Sequence, residues 1–159
     1  MKLGLAIREL HRSEHKLACQ LSALSARHTV EHEIFYTSRD IAVWSREHIA
    51  DLADAGTRYG LTLSADPHST AHAAGLQQRI SALLGRRPEP ALLLLADLRR
   101  VHRTAAGVSL DWELLAQGAQ AVKDVDLIDL AQRGHPQTLR QMRWANGMLK
   151  TLSPQALSS

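Results

Sequence analysis

Three side chains in the first two predicted helices carry the chemistry that this sequence could support. Glu14 lies at the centre of an apolar stripe, His48 lies on the inward face of the next helix, and Asp51 follows His48 by three residues on the same side. Carboxylate oxygen and imidazole nitrogen are ligands for iron, manganese or zinc. Because an unpaired carboxylate is costly to bury, a hydrogen-bonded Glu14–His48 pair that serves the fold alone is the preferred interpretation, and a divalent metal site is the alternative.

Three pairs of histidines share a separation of four residues, which places both rings on one side of a helix. These pairs are His11 and His15, His28 and His32, and His68 and His72. A histidine pair one helical turn apart can chelate a metal ion, but each pair lacks the intervening glutamate of the zinc-protease motif. Because His15 and His32 also fall outside the apolar stripes, solvated histidines are the preferred interpretation for all three pairs.

The first predicted helix, residues 3–27, organises the chain. Its apolar stripe alternates steps of four and three residues, the spacing of a helix face that packs against a neighbour. The stripe consists of Leu3, Ile7, Leu10, Glu14, Leu17, Leu21, Leu24 and His28. A shift of 91 residues carries the pattern onto Leu94, Leu98, Val101, Ala105, Val108, Trp112, Leu115 and Ala119. The recurrence predicts an internal repeat of a helix pair, with Ala105 in place of Glu14.

Further helices follow from apolar stripes, caps and helix-breaking residues. The predicted spans are 30–55, 67–85, 90–120 and 124–152. The second of these is a shorter crossover helix between the two pairs. The last is predicted to break at residues 134–136, because proline removes a backbone donor and its ring clashes with the preceding turn. An alternative joins the first two helices into one continuous helix over residues 5–58.

These elements predict an all-α fold, an up-and-down four-helix bundle with a crossover helix, built from two helix-pair repeats. The bundle forms a single domain over residues 1–152, and residues 153–159 form a flexible tail. Ala and Leu dominate the 159 residues and aromatic residues make up only 4%, which favours helices over β-structure.

The composition also predicts where the protein resides. The single cysteine, Cys19, cannot form an internal disulfide, which fits a reducing compartment. No secretory signal is visible, and the longest apolar run, residues 91–96, is far shorter than the roughly 20 residues that a membrane span needs. The sequence therefore predicts a soluble, cytoplasmic protein with no membrane partner.

A mildly basic surface raises the possibility of nucleic-acid binding. The formal net charge is +3, and Arg99, Arg100 and Arg103 form one of the densest basic clusters. Such a cluster can bind a phosphate backbone. Because acidic residues are scattered through most of the chain, the cluster is interpreted as a solvated helix face, with nucleic-acid binding as an alternative.

Two helix pairs joined by a long connection, with an inward Glu14 and an inward His48, resemble the ferritin-like superfamily. The resemblance implies a four-helix bundle in which a glutamate from one helix and a Glu-x-x-His run from the next, repeated in both halves, hold two irons. Glu14 matches the first ligand. Residues 48–51 read His-Ile-Ala-Asp, which reverses the expected order, and Ala105 and Leu139 stand where Glu14 and His48 would recur. The resemblance thus implies the fold and at most half of a metal site.

The preferred functional prediction is a non-catalytic bundle, with no expected cofactor, that acts as a homo-oligomer or through a protein partner. Outward Phe35 and Val43 on the second helix are predicted to supply the contact, or to pack against the crossover helix. The first alternative is a metal-binding oxidative protein that uses Glu14, His48 and Asp51. The second is nucleic-acid binding through the arginine cluster.

Overall fold

Four α-helices make up nearly all of the residues that the computed structural model describes, which are residues 2–68 and 89–159. They are α1 (Lys2–Arg27), α2 (His32–Thr57), α3 (Pro90–Val122) and α4 (Val125–Ser158), and these residues contain no strand. The fold is all-α, as predicted, and the ends of α1, α2 and α3 lie within two residues of the predicted ones. The alternative of one continuous helix over residues 5–58 is wrong, because α1 and α2 are separated by a turn. The predicted crossover helix lies outside the described residues except for its first two positions.

Local signals place the ends of α3 and α4. Pro90 occupies the start of α3, where its missing N–H would have no helical partner in any case. Lys123 ends that helix in the left-handed conformation, with φ of 59°. The side chain of Asp124 then accepts a hydrogen bond of 3.1 Å from the backbone N–H of Leu127 and caps α4. The two long helices are therefore joined by a turn of only two residues.

Contacts at the helix ends define the direction of each helix. The hydroxyl of Ser25 donates to the carbonyl of Phe35 at 3.1 Å, so α1 and α2 are antiparallel and meet at their shared turn. His28, just after α1, contacts Asp97 in the first turns of α3 at 2.9 Å, so α1 and α3 are also antiparallel. It follows that α2 and α3, consecutive in the chain, run in the same direction.

The up-and-down alternation therefore holds within each helix pair but not between the pairs. The chain leaves α2 at one end of the bundle and enters α3 at the other. The connection over residues 58–89 permits this entry, because it is long enough to match a helix of 26 residues, which extends about 39 Å.

The core consists mainly of the two apolar stripes that the sequence predicts on α1 and α3. Every member of both stripes is buried, including the polar Glu14 and His28. Trp112 is the largest of the fully buried side chains in the described residues. The predicted inward faces of these helices are thus confirmed, whereas the internal repeat that was inferred from them remains a prediction.

Helix α4 departs from its prediction in the middle and at its end. The predicted break at residues 134–136 is wrong, because the helix runs through Gly134 and Pro136 without interruption. A Cβ atom at Gly134 would lie 2.6 Å from the ring of Trp112, so the glycine allows α3 and α4 to approach closely. The close contact of α4 with α3 beside Pro136 opposes the tendency of the proline to end the helix. The helix also continues through residues 153–158, where the sequence predicts a flexible tail.

Candidate functional site

A cluster of polar side chains lies at mid-height in the bundle, and all four helices contribute to it. We call it the central cluster, and its members are Glu14, His48, Trp112, Gln137 and Thr138. The side chains of Glu14 and Trp112 are fully buried, and His48 is 3% exposed. Glu14 and His48 are therefore brought together as the sequence predicts, on adjacent antiparallel helices.

One carboxylate oxygen of Glu14 accepts all the hydrogen bonds that this residue receives within the cluster. His48 Nδ1 donates to Glu14 Oε1 at 2.8 Å, and the indole N–H of Trp112 donates to the same atom at 2.9 Å. The hydroxyl of Thr138 approaches it at 3.5 Å. The second oxygen, Oε2, is buried and has no hydrogen-bond partner among the described residues. Glu14 is thus satisfied on one side and left with an unused acceptor on the other.

Both ring nitrogens of His48 face oxygen atoms. Nδ1 contacts Glu14 Oε1, and Nε2 contacts Oε1 of Gln137 at 2.7 Å. A neutral imidazole has only one N–H, so donation to both oxygens requires the imidazolium form. Burial alone would lower the pKa of His48, but the hydrogen bond to Glu14 and its negative charge, together with the Gln137 contact, outweigh burial and raise this pKa above 6.5.

The predicted metal ligands do not converge on one point. Asp51 is exposed and acts on His48 only through its charge. Across residues 2–68 and 89–159, no group of three or more His, Cys, Asp or Glu side chains is arranged to hold a metal ion. Both ring nitrogens of His48 are also already in contact with oxygen atoms of Glu14 and Gln137. The donor set therefore does not fit a di-iron centre, and metal binding by Glu14, His48 and Asp51 remains a prediction.

The contribution of α4 to the central cluster is what the sequence analysis missed. Gln137 and Thr138 follow Pro136, where the sequence predicts a helix break. A broken helix does not indicate which side chains point inward, so the sequence did not predict their contacts with Glu14 and His48. On the same face, Gln141 donates to the carbonyl of Ile41 at 2.8 Å and contacts Ser45 Oγ at 3.0 Å. The N–H of a buried tryptophan usually has a hydrogen-bond partner. The inward position of Trp112 in the sequence therefore indicates that an acceptor lies near it.

A second buried acidic residue, Asp97, fastens the end of α1 to α3. Its carboxylate lies 2.9 Å from His28 Nε2 and 3.1 Å from the guanidinium of Arg27. Arg100, one turn further along α3, approaches it at 3.5 Å. This ion-pair cluster uses one of the three arginines that the sequence analysis assigns to a basic patch, while Arg99 and Arg103 stay exposed.

The prediction that the paired histidines are solvated is wrong for three of them. His11 is 7% exposed and His15 is 3% exposed, and His28 is buried against Asp97. His11 is covered because the chain after α2 passes over it, which sequence periodicity does not reveal. The other members are His32 and His68, which are exposed as predicted, and His72, which lies outside the described residues.

An open depression lies at the end of the bundle where α2 meets the α3–α4 turn. It has a volume of about 440 Å³, and Arg58, Tyr59 and Lys123 are among the residues that line it. The hydroxyl of Tyr59 donates to Asp124 at 2.5 Å, and burial together with this hydrogen bond raises the pKa of Tyr59 to about 12. No member of the central cluster lines this depression, so it gives no access to Glu14 or His48.

Comparison with known proteins does not assign a family. No protein-family model matches the chain, and no characterised protein or solved structure matches it. Within the described residues, no helix is both long enough and apolar enough to cross a membrane. Function is therefore inferred from the residues themselves.

Proposed function

We propose that this protein is a non-catalytic, ferritin-like helical-bundle protein that acts by self-association through the outward face of α3. Two features support the ferritin-like description. The helices form two antiparallel pairs with α2 and α3 parallel, which is the arrangement that a single long crossover produces. Polar side chains from all four helices also converge at mid-height. In this proposal the Glu14–His48 pair is structural, because its contacts are made within the chain.

The observation that carries the proposal is an exposed apolar strip on α3. The outer α3 strip consists of Gly107, Leu110, Leu114 and Ala121, which share one side of the helix and are all exposed. Leu110 is 60% exposed and Leu114 is 66% exposed. Adjacent outward leucines on a helix whose opposite face is already buried are typical of a protein interface.

Gly107 gives the strip a second property. A Cβ atom at this position would meet nothing within 4 Å, so packing inside the chain does not require a glycine here. Glycine in a helix interior is less favourable than alanine by about 0.5–1 kcal/mol. A close approach by a second helix, from outside the chain, accounts for a small residue at this point.

The charges beside the strip favour a second copy of the same chain as the partner. Arg103 and Glu113 are both exposed and flank Leu110 on the same helix. In an antiparallel, two-fold pairing of two α3 helices, Arg103 of one copy faces Glu113 of the other, and the contact occurs twice. The same pairing places Leu110 of each copy near Gly107 of the other. The strip is thus self-complementary in both charge and shape.

Sedimentation velocity over a concentration series, with protein that carries no affinity tag, tests the proposal. The wild type is expected to form a dimer, Leu110→Glu is expected to be monomeric, and the matched control Leu157→Glu, at a residue 70% exposed on α4, is expected to dimerise as the wild type does. Arg103→Glu should weaken the dimer, and the double variant Arg103→Glu, Glu113→Arg should restore it. A wild type that stays monomeric, or a dimer that Leu110→Glu leaves intact, would contradict the proposal.

The second candidate function is a metal-binding or oxidative protein that uses Glu14, His48 and Asp51. The buried Oε2 of Glu14, which has no partner among the described residues, favours it. Near-stoichiometric iron, manganese or zinc in untagged protein, lost in Glu14→Gln, would support this candidate. Nucleic-acid binding has less support, because Arg100 already pairs with Asp97.

A further inference from the structure

His11 and His15 form a second group of buried imidazoles, on α1 and outside the central cluster. The two residues are one helical turn apart, and their ring centroids are 4.6 Å apart, with the rings inclined at 68°. Their exposed fractions are only 7% and 3%. Neither side chain contributes to the contacts of Glu14 or His48 described above.

The hydrogen bond of His11 determines which of its nitrogens is free. Nε2 lies 2.8 Å from the backbone carbonyl of Ser64, which only accepts, so Nε2 carries the proton and Nδ1 keeps its lone pair. Histidines that bind metals commonly donate their second N–H to a carbonyl in this way, which fixes the ring and its tautomer. Burial lowers the pKa of His11 below 6.5, and the adjacent His15 lowers it further, against the opposing effect of the Ser64 carbonyl. The lowered pKa favours the neutral ring, which is the form that binds a metal ion.

His15 lacks the partners that the other buried histidines have. Both of its ring nitrogens are buried and without a hydrogen-bond partner among the described residues. By contrast, His28 contacts Asp97 and His48 contacts Glu14. A buried polar group with no partner is unfavourable, so the unpartnered His15 ring, whose centroid lies 4.6 Å from that of His11, favours binding of a ligand between the two residues.

We propose that His11 and His15 form a two-histidine site for a divalent metal ion of the Zn²⁺ class. Imidazole nitrogen suits zinc, copper and nickel, and histidines one turn apart on a helix can bind one ion together. The described residues supply no third His, Cys, Asp or Glu ligand, so water or an external ligand fills the remaining positions. The site is separate from the metal alternative at Glu14, and it does not depend on self-association.

Calorimetric titration of untagged, chelator-treated protein with ZnCl₂ at pH 7 tests this site. The wild type is expected to bind one Zn²⁺ per chain. His11→Gln and His15→Gln should each weaken binding by at least about tenfold, because even the loss of an outer-shell partner has an effect of that size. The matched control His32→Gln, at an exposed histidine, should bind as the wild type does.

Two results would overturn the proposal: no Zn²⁺ binding by the wild type, or unchanged binding in both His11→Gln and His15→Gln. NMR of the imidazole nitrogens in the wild type gives a second test that does not depend on the folding of any variant. Zn²⁺ should shift the resonances of His11 Nδ1 and one nitrogen of His15. If Zn²⁺ shifts the nitrogen resonances of neither His11 nor His15, the proposal is overturned as well.

Discussion

Glu14 is fully buried, and its hydrogen-bond partners come from the three other helices. The carboxylate therefore links α1 to α2 through His48, to α3 through Trp112 and to α4 through Thr138. Each of these donors is itself buried and would lose its acceptor if Glu14 were removed. A residue with this position is expected to determine how the helices align as well as how stable they are.

The substitution Glu14→Gln tests this role at the scale of one residue. It leaves the His48 imidazolium buried without a counter-charge, and breaking a buried ion pair from one side costs about 3–5 kcal/mol. Urea unfolding should therefore give a free energy of unfolding lower by about that amount. The matched control is Glu9→Gln, which removes an exposed ion pair with Arg12 and should change stability by less than about 1 kcal/mol. Equal stability of the two variants would contradict a structural role for Glu14.

The sequence predicts single residues well where a periodic stripe carries them. Glu14 and His48 lie on such stripes, and an antiparallel hairpin of the first two helices that closes near residue 30 brings the two residues to similar heights. The prediction of a solvated ring fails for His11 because a loop, and not a helix face, covers it through the carbonyl of Ser64. Loops carry no periodicity, so their contacts cannot be deduced from spacing.

At the scale of elements, the contact of α3 with α4 depends on one glycine. The indole of Trp112 lies where a side chain at position 134 would be, and it also donates to Glu14. The close approach of the two helices and the satisfaction of the buried carboxylate are therefore coupled.

Gly134→Ala and Gly147→Ala form a matched pair that tests this coupling. A Cβ atom at Gly134 would lie 2.6 Å from the rigid Trp112 ring, and overpacking of this kind costs about 1–3 kcal/mol. At Gly147, on the same helix, a Cβ atom meets nothing within 4 Å, so alanine should stabilise the helix by about 0.5–1 kcal/mol. Urea unfolding of both variants measures the two effects. Stabilisation by both substitutions would show that the position of the Trp112 ring does not require a glycine at residue 134.

The elements themselves were predictable where leucine and isoleucine mark the inward face. The stripes on α1 and α3 gave both the spans of the helices and their buried sides. Helix α4 was predicted less well, because its inward face includes Gly134, Thr138 and Gln141 in addition to leucines. A face of glycine and polar residues has no apolar periodicity, and tertiary packing overrides the local tendency of Pro136 to end a helix.

At the scale of the whole molecule, the interior and the surface have different roles. The interior joins four helices through one buried carboxylate, and α3 presents apolar residues to the outside. The all-α bundle was predictable from the sequence. The parallel direction of α2 and α3 was not, because spacing within a helix does not indicate from which end the chain enters it. The binding of a second copy at the outer α3 strip is likewise not indicated by the apolar stripes, because it depends on residues at the surface.

The protonation of His48 tests most directly whether the buried Glu14–His48 pair is a structural ion pair. NMR of the imidazole nitrogens at pH 6.5 measures it in the wild type. A histidine with the ordinary pKa of 6.5 is half protonated at this pH, and the urea-unfolded chain provides that reference. Folded His48 is expected to be mostly imidazolium, with protons on both nitrogens that are donated to Glu14 and Gln137. A His48 ring with one unprotonated nitrogen, or with a resonance shifted by bound metal, would contradict it.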